Sequence, residues 1–396
     1  MLAEKTVVLG VTGGIAAYKA ADLASKLTQA GTSVNVIMTK SAMEFVSPLT
    51  FRAITHRPVV TSMFELASEF SVEHVALAEA ADIVVIAPAT ANVIAKIAGG
   101  IADDMLTTTV LATEAPVLLA PAMNVNMWQN TVTQENVARL KERGFSFVGP
   151  GYGRLASGRM GMGRLIEISE IMDAVRQVLG EKTDLAGKRI VVTAGGTREA
   201  IDPVRYIGNR SSGKMGFALA EAARDRGATV TLITAPVSLP TPAGMEIITI
   251  ESVTEMKEAV KKATSNADVL IMAAAPADYV ARNIAGQKIK KGSAELTVDL
   301  VKAPDIISEV KGDFIKVGFA AETQDLLDNA KKKLESKKLD LIVANDVTAS
   351  DSGFAVDTNK VSIIDREGQV EDLPLMTKRE VAHRVLDRVV GMVGGK

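Results

Sequence analysis

The stretch KRIVVTAGGTREAIDPVRYIGNRSSGKMGF, residues 188–217, decides how the chain is divided. Ile190–Val192 is a short apolar run and reads as a buried strand. Gly195-Gly196 opens a polar segment rich in Arg, Asn and Ser, which closes at Ser211-Ser212-Gly213-Lys214. The helical pattern Phe217-Ala218-Leu219-Ala220 follows. An ordinary βα connection takes ~2–6 residues, and this one takes about two dozen. Loops of that size inside compact domains are usually functional. The segment lies at the middle of a 396-residue chain, and a second nucleotide-type α/β unit is expected to start with it.

Downstream, the pattern predicts strand Arg189–Thr193, helix Gly216–Arg226, strand Thr229–Ile233, helix Val253–Ala263 and strand Val269–Met272. Alternating strands and helices of this kind build a parallel sheet. A helix is expected over Gln324–Lys338, strands over Lys360–Asp365 and Gln369–Leu373, and a last helix over Lys378–Val390, where His383 reads as structural.

Upstream, Thr6–Val11 is an apolar run followed by Thr12-Gly13-Gly14 and a helical pattern. Amides of Gly13 and Gly14 at a helix start would suit a phosphate. A tight turn that needs glycine explains them equally, and the GxGxxG dinucleotide fingerprint is absent. Helix Ala20–Gln29 and strand Ser33–Met38 come next, then Thr39-Lys40-Ser41. Ligands gather outside the carboxyl ends of parallel strands, so Thr39 and Ser41 could hold phosphate or ribityl oxygens. Ordinary capping of a helix after Ser41 is the other reading.

Ser71–Ala78 reads as a helix in which His74, Leu77, Ala78 and Ala81 share a face. His74 is either a packed core residue or a catalyst. Ile83–Pro88 is a buried strand, and Thr90-Ala91-Asn92 opens helix Val93–Ala98 across a loop small enough for a flat ring. After strand Pro116–Leu119, the loop PAMNVNMW, residues 121–128, carries the only Trp and two Asn. Asn suits a carboxylate because it adds no charge. Gly151–Gly163, GYGRLASGRMGMG, is so dense in glycine that it reads as a mobile flap rather than a packed element.

Composition narrows the function classes. Hydrophobic content of 47% supports sizeable cores. A net charge of −2 argues against a nucleic-acid binder relying on bulk charge, though not against local basic pockets. The chain has no Cys, so no disulfide, thiolate metal site or Cys nucleophile exists, and three His leave little for a His-rich metal centre. No signal-peptide pattern precedes Thr6 and the most apolar stretch, Ile83–Ile101, is interrupted by Pro88, Asn92, Lys96 and Gly99-Gly100. A cytoplasmic protein is the expectation.

His74 in HxxLA, Pro88–Asn92, the Pro121-x-Met123-Asn124-x-x-Met127-Trp128 motif and the flap ending Gly161–Arg164 together resemble FMN-dependent phosphopantothenoylcysteine decarboxylases. The resemblance implies a Rossmann-like flavoprotein, trimeric, with FMN between subunits. It implies FMN contacts from Gly13, Gly14, Thr39, Ser41, Thr90, Ala91 and Asn92, a base at His74 and carboxylate binding by Asn124. Flavin oxidation of the substrate thiol to a thioaldehyde would make the electron sink for CO2 loss, and the hydride would then return. That family carries Cys in the flap where this chain has Ser157. A serine hydroxyl is far less acidic than a thiol of pKa about 8.5, so Ser157 is a weak proton donor.

In the second half, Asp202–Gly216, Ala273–Tyr279, Lys288–Lys291, Gly318–Thr323 and Ala344–Asp346 resemble phosphopantothenate–cysteine ligase, whose bacterial type uses CTP. Both halves in this order resemble the bifunctional decarboxylase/ligase family of coenzyme A biosynthesis. The implied fold class is α/β, two Rossmann-like open parallel-sheet domains, at 1–183 and 184–396. Implied for CTP are Ala273, Ala274, Ala275 and Phe319 around the cytidine, with Asn209 and Arg205 facing the acyl-cytidylate.

The residues allow this chemistry. A carboxylate beside a triphosphate needs cations and Mg²⁺. Lys288, Lys333 and Lys337 can supply charge, and the last two are i,i+4 on one helical face. A solvated face is the alternative for each. Ala303-Pro304-Asp305-Ile306 puts Pro at an expected helix start, leaving amides for phosphate or base edges. Asp278 is the acid suited to ribose or Mg²⁺. The expected assembly combines trimers of the first domain with dimers of the second, acting on small molecules without nucleic acid or membrane. A rival reading leaves only the ligase active, with an FMN-binding assembly module attached. Another makes the first half a flavin prenyltransferase or peptide decarboxylase.

Overall fold

The computed structural model describes residues 2–63, 73–290, 296–322, 326–346 and 356–394. Ser71, Val72, Lys291, Thr323 and Gln324, named in the motifs and helices above, lie outside the described residues. The chain separates into two compact units, Met1–Leu179 and Gly180–Lys396.

In the first unit β1 (Thr6–Val11), β2 (Ser33–Met38), β3 (Val59–Val60), β4 (Ile83–Ala89), β5 (Val117–Pro121) and β6 (Ser146–Phe147) form one sheet. Their order is β3-β2-β1-β4-β5-β6 and every pairing is parallel. This is the doubly wound order, with its switch point between β1 and β4. The central strands β4 and β5 are continuous apolar runs because both faces are covered, whereas β2 carries half-buried Ser33 and Asn35. Val7, Leu9 and Val11 enter one core cluster, while Val8 enters the cluster on the other face. Between the strands run α1 (Ala17–Gln29), α2 (Pro48–Thr55), α3 (Glu73–Ala80), α4 (Ala91–Gly99), α5 (Met105–Ala112), α6 (Val125–Gln129) and α7 (Thr131–Glu142). A separate hairpin, β7 (Gly151–Arg154) with β8 (Met160–Arg164), precedes α8 (Ile168–Gly180).

The second unit repeats this plan. Its strands are β9 (Arg189–Ala194), β10 (Arg198–Ala200), β11 (Tyr206–Gly208), β12 (Thr229–Thr234), β13 (Glu246–Thr249), β14 (Val269–Met272), β15 (Tyr279–Ala281), β16 (Leu300–Lys302), β17 (Ile315–Glu322), β18 (Leu341–Asp346), β19 (Thr358–Asn359), β20 (Val361–Asp365) and β21 (Val370–Asp372). Its helices are α9 (Lys214–Asp225), α10 (Val253–Ala263), α11 (Ile306–Glu309), α12 (Leu326–Ser336) and α13 (Lys378–Val393). The main sheet runs β13-β12-β9-β14-β17-β18-β20-β21. Its first six strands are parallel in the doubly wound order, and β20 and β21 extend it antiparallel. The switch point lies between β9 and β14. Ile190 and Val192 pack on one face and Val191 on the other. Among the described residues no helix is long and apolar enough to cross a membrane.

Four local expectations change. No helix follows Ser41; residues 41–46 are turns closed by Ala42 N–H to Thr39 O at 2.9 Å and Phe45 N–H to Ala42 O at 3.0 Å. The helix waits for Pro48 at its first turn, with Ser47 as its cap. The Gly-rich segment is an ordered antiparallel hairpin rather than unpacked flap. The polar segment after β9 is likewise not a bare loop, because Arg198–Ala200 and Tyr206–Gly208 pair as a hairpin. Pro304 does not start a helix. Asp305 stays extended at φ −88°, ψ 91° and is the residue before α11, a single turn of four residues.

Candidate active sites

The first unit holds a cavity of about 1000 Å³ at its switch point. Gly13 and Gly14 line it from the β1–α1 turn, and Thr39 and Ser41 from the end of β2. Thr90, Ala91 and Asn92 line it from the start of α4. Gly13 has to be glycine: a Cβ there would meet Ser41 Cβ at 2.3 Å and the Ser41 carbonyl carbon at 2.7 Å. The two loops therefore touch through backbone. Buried Thr12 ties in the third, donating to Pro88 O at 2.7 Å and accepting from Thr90 N–H at 3.2 Å. Sequence patterning gave no sign of this role for Thr12.

The cavity's charge suits an anion at one end. The first turn of α1 has neither an acidic residue nor a side-chain cap, and Lys19 and Lys40 also line the space. Lys96 is held by Asp103 at 2.7 Å and Asp104 at 3.3 Å, and its hydrogen bond to Asp103 raises its pKa.

The β7–β8 hairpin and the PAMNVNMW loop close the other side. Met123 N–H donates to Gly163 O at 2.9 Å, and a Cβ on Gly163 would meet Met123 O at 2.2 Å. Asn124 Oδ1 caps α6 by accepting from Asn126 N–H at 3.0 Å. Its Nδ2 is thereby turned to the hairpin and donates to Ser157 Oγ at 3.5 Å, the long end of a hydrogen bond. Asn124 thus presents a donor, the polarity a carboxylate requires. His74 sits half-buried on α3 and is not among the residues lining this cavity.

In the second unit a cavity of about 190 Å³ lies beside the switch point. Ala274 and Asp278 reach it from the β14 loop, Ala303 to Ile306 from the β16–α11 connection, and Phe319 from β17. Lys333 and Lys337 line it from α12 and the residue after it, where Lys337 N–H still bonds Lys333 O at 3.0 Å. Lys337 Nζ pairs with Asp305 at 3.2 Å. Lys302, which sequence reading missed, also lines it. Ala273, Ala275 and Lys288 do not.

Ala275 instead bridges to the glycine turn, with its N–H bonding Gly195 O at 2.8 Å. Asn209 fastens to the same loop, Nδ2 donating to Ala275 O at 3.3 Å and Pro276 O at 3.0 Å. Arg205 pairs with Asp202 at 2.6 Å and donates to Ile289 O at 2.9 Å, next to Lys288. The Arg205 hydrogen bonds hold the Asp202 carboxyl far below the usual carboxylate range. Among the described residues no group of three or more His, Asp or Glu is gathered for a metal.

Two doubly wound units, each with a polar-rimmed cavity by its switch point, define an α/β enzyme of the nucleotide- and flavin-handling class. Residues 1–180 match the family model described as Flavoprotein, and residues 185–392 match DNA/pantothenate metabolism flavoprotein C-terminal domain. The chain is 48% identical to the coenzyme A biosynthesis bifunctional protein CoaBC of Bacillus subtilis, over 99% of this chain and 98% of that one. It is 43% identical to the protein of the same name from Escherichia coli, over 98% and 97%. A solved C-terminal domain of a CoaBC protein aligns at 38% identity over 54% of this chain and 100% of that chain, with a TM-score of 0.47. The chain belongs to the CoaBC family of bifunctional coenzyme A biosynthesis proteins.

Proposed function

We propose that the second unit joins phosphopantothenate to cysteine with CTP, and that the first decarboxylates the product to phosphopantetheine with FMN. The observation that carries this is the convergence of Gly13, Gly14, Thr39, Ser41, Thr90, Ala91 and Asn92 on one cavity that Asn124 and Ser157 also border. Its volume, about 1000 Å³, has room for a flavin mononucleotide with a substrate arm beside it. Bound FMN supplies the two-electron oxidation of the substrate and its reversal. The chain's own part is to cradle the phosphate end on the α1 turn, to grip the substrate carboxylate through Asn124 Nδ2 and to shut out water with the hairpin. Ser157 stands where a proton is returned. His74 lies off this cavity, so as a base it would serve the site of another copy. Exposed Ile15, Tyr18 and Leu49 suit self-association of the first unit, in the trimers expected from sequence. Val204, Tyr206 and Tyr279 suit dimers of the second.

In the second unit the substrate carboxylate attacks the α-phosphorus of CTP and pyrophosphate leaves. Cysteine's amine then attacks the acyl carbon and CMP leaves. Lys333, Lys337 and Lys302 offset the triphosphate's charge, with Lys288 joining from the neighbouring segment. Ala274 and Phe319 flank the base, and Ala273 and Ala275 shape the loop beneath it. Asn209 and Arg205 stand at the acyl end. Asp278 and Asp305 are the carboxylates at hand for Mg²⁺, which takes one or two carboxylates and otherwise the phosphates. The enzyme would act on these small molecules in the cytoplasm. The test is to purify the full chain, record its flavin spectrum, and measure pyrophosphate release from CTP and ATP and CO2 from the ligation product. A colourless protein that releases no CO2 overturns the first assignment, and no cysteine-dependent turnover with CTP overturns the second.

A further inference from the structure

Asp202 is the most heavily bonded carboxylate near the second site, and its two oxygens do different work. Its side chain is fully buried. Oδ1 accepts from Val204 N–H and Arg205 N–H, both at 2.8 Å. Those bonds make a local Asx turn through Pro203, which any Asp or Asn could form. Oδ2 is spent elsewhere. It accepts from Arg205 Nε at 3.0 Å, Arg205 Nη2 at 2.6 Å and Ile289 N–H at 3.1 Å. Ile289 lies 87 residues away in sequence. Arg205 Nη2 then donates to Ile289 O at 2.9 Å. Both backbone polar groups of Ile289 are therefore held by one ion pair. Residues 288–290 belong to no strand, so this side-chain clamp takes the place of a ladder. A second tie, Ala285 N–H to Ile201 O at 3.0 Å, fixes the same segment four residues earlier. The turn alone requires none of the Oδ2 bonds.

We propose that Asp202 is a positioning residue that, by gripping Arg205, latches the segment around Ile289 and so sets where the neighbouring Lys288 ammonium stands during acyl-nucleotide formation. The inference rests on the ligation reading of the second unit. Ile289 is half-buried against the clamp while Lys288 and Lys290 are exposed on either side of it. Holding Ile289 by both backbone groups thus aims its neighbours away from the clamp. The carboxylate stays ionised throughout the working pH range, because its pKa lies far below the usual value. The latch is accordingly permanent rather than pH-gated.

Asp202→Asn is the informative change. It keeps an oxygen for the turn and replaces Oδ2 by an NH₂ that faces three donors. The measurement is single-turnover acyl-cytidylate formation by the full-length enzyme with CTP, Mg²⁺ and phosphopantothenate, for the wild type, Asp202→Asn, Lys288→Ala and the double variant. Misplacing a reacting group by about 1 Å costs on the order of 100-fold. We expect Asp202→Asn to slow the wild type by about 10- to 100-fold and to slow Lys288→Ala by less than about 2-fold, since groups acting as a unit are non-additive. If the two losses multiply, the latch is refuted while Lys288 keeps its role. If Lys288→Ala retains the full wild-type rate, the assignment of Lys288 in the ligation reading fails instead. Asp202→Glu, which keeps the charge but displaces the oxygen that holds Ile289, provides the same cycle if the Asn variant does not fold. Equal slowing with and without Lys288 there also refutes the latch.

Discussion

Replacing Gly163 by alanine tests whether the hairpin must lie hard against the Asn124 loop. Gly163 has φ +138°, a conformation side chains rarely adopt. Its new Cβ would sit 2.2 Å from Met123 O, a backbone atom that cannot rotate away. Strain of that kind costs about 1–3 kcal/mol. Moving the strand to relieve it breaks the 2.9 Å bond from Met123 N–H to Gly163 O, worth about 1 kcal/mol. The closed hairpin is thus disfavoured by about 2–4 kcal/mol, or about 30- to 1000-fold. The hairpin is a two-stranded sheet separate from the six-stranded core, so the loss should fall on the cavity and not on global stability. Gly158→Ala is the control: it has φ +81° but nothing within 4 Å of its Cβ. The assay is decarboxylase kcat/KM with flavin content and melting temperature recorded for each variant. We expect Gly163→Ala to lose at least about 30-fold in kcat/KM with its melting temperature nearly kept, and Gly158→Ala to lose far less. Wild-type turnover in Gly163→Ala would refute the reasoning.

Three further outcomes are expected. Ser157→Cys should raise decarboxylase turnover, because a thiol is the stronger acid, and Ser157→Ala should lower it; equal turnover in all three proteins removes the position from the chemistry. Asn209→Asp should set a carboxylate against Ala275 O and Pro276 O, where Asn209 now donates, and so accumulate acyl-cytidylate; normal amide formation, followed by quenched-flow analysis, would discard that role. Burial, with Arg379 and Arg226 close by, holds the His383 imidazole below its ordinary value. The unfolded chain therefore takes up a proton first as pH falls below about 6.5. Stability drops from there down to the lower folded pKa and then levels. His383→Gln should flatten that limb in melting curves at pH values from about 7.5 to 5.5, and an unchanged limb would exclude His383 as its source.

The sequence by itself determined the two sheets. Runs such as Thr6–Val11, Ile83–Pro88 and Val269–Met272 are apolar because each strand is buried on both faces. That requirement is local, so it shows in short windows, and helix Val253–Ala263 appears with the boundaries read from sequence. The motif residues around Gly13, Thr39 and Thr90 were likewise legible, because loops at strand carboxyl ends converge in this topology.

Only the tertiary structure decided what those loops touch. The tie between Asn209 and Ala275 spans 66 residues, and that between Asp202 and Ile289 spans 87. Periodicity carries no information across such distances. Hydrogen bonding also turned glycine-rich and polar stretches, read as flap and loop, into paired hairpins. Their backbone groups had to find partners, and those partners lay on the next strand, where composition does not point.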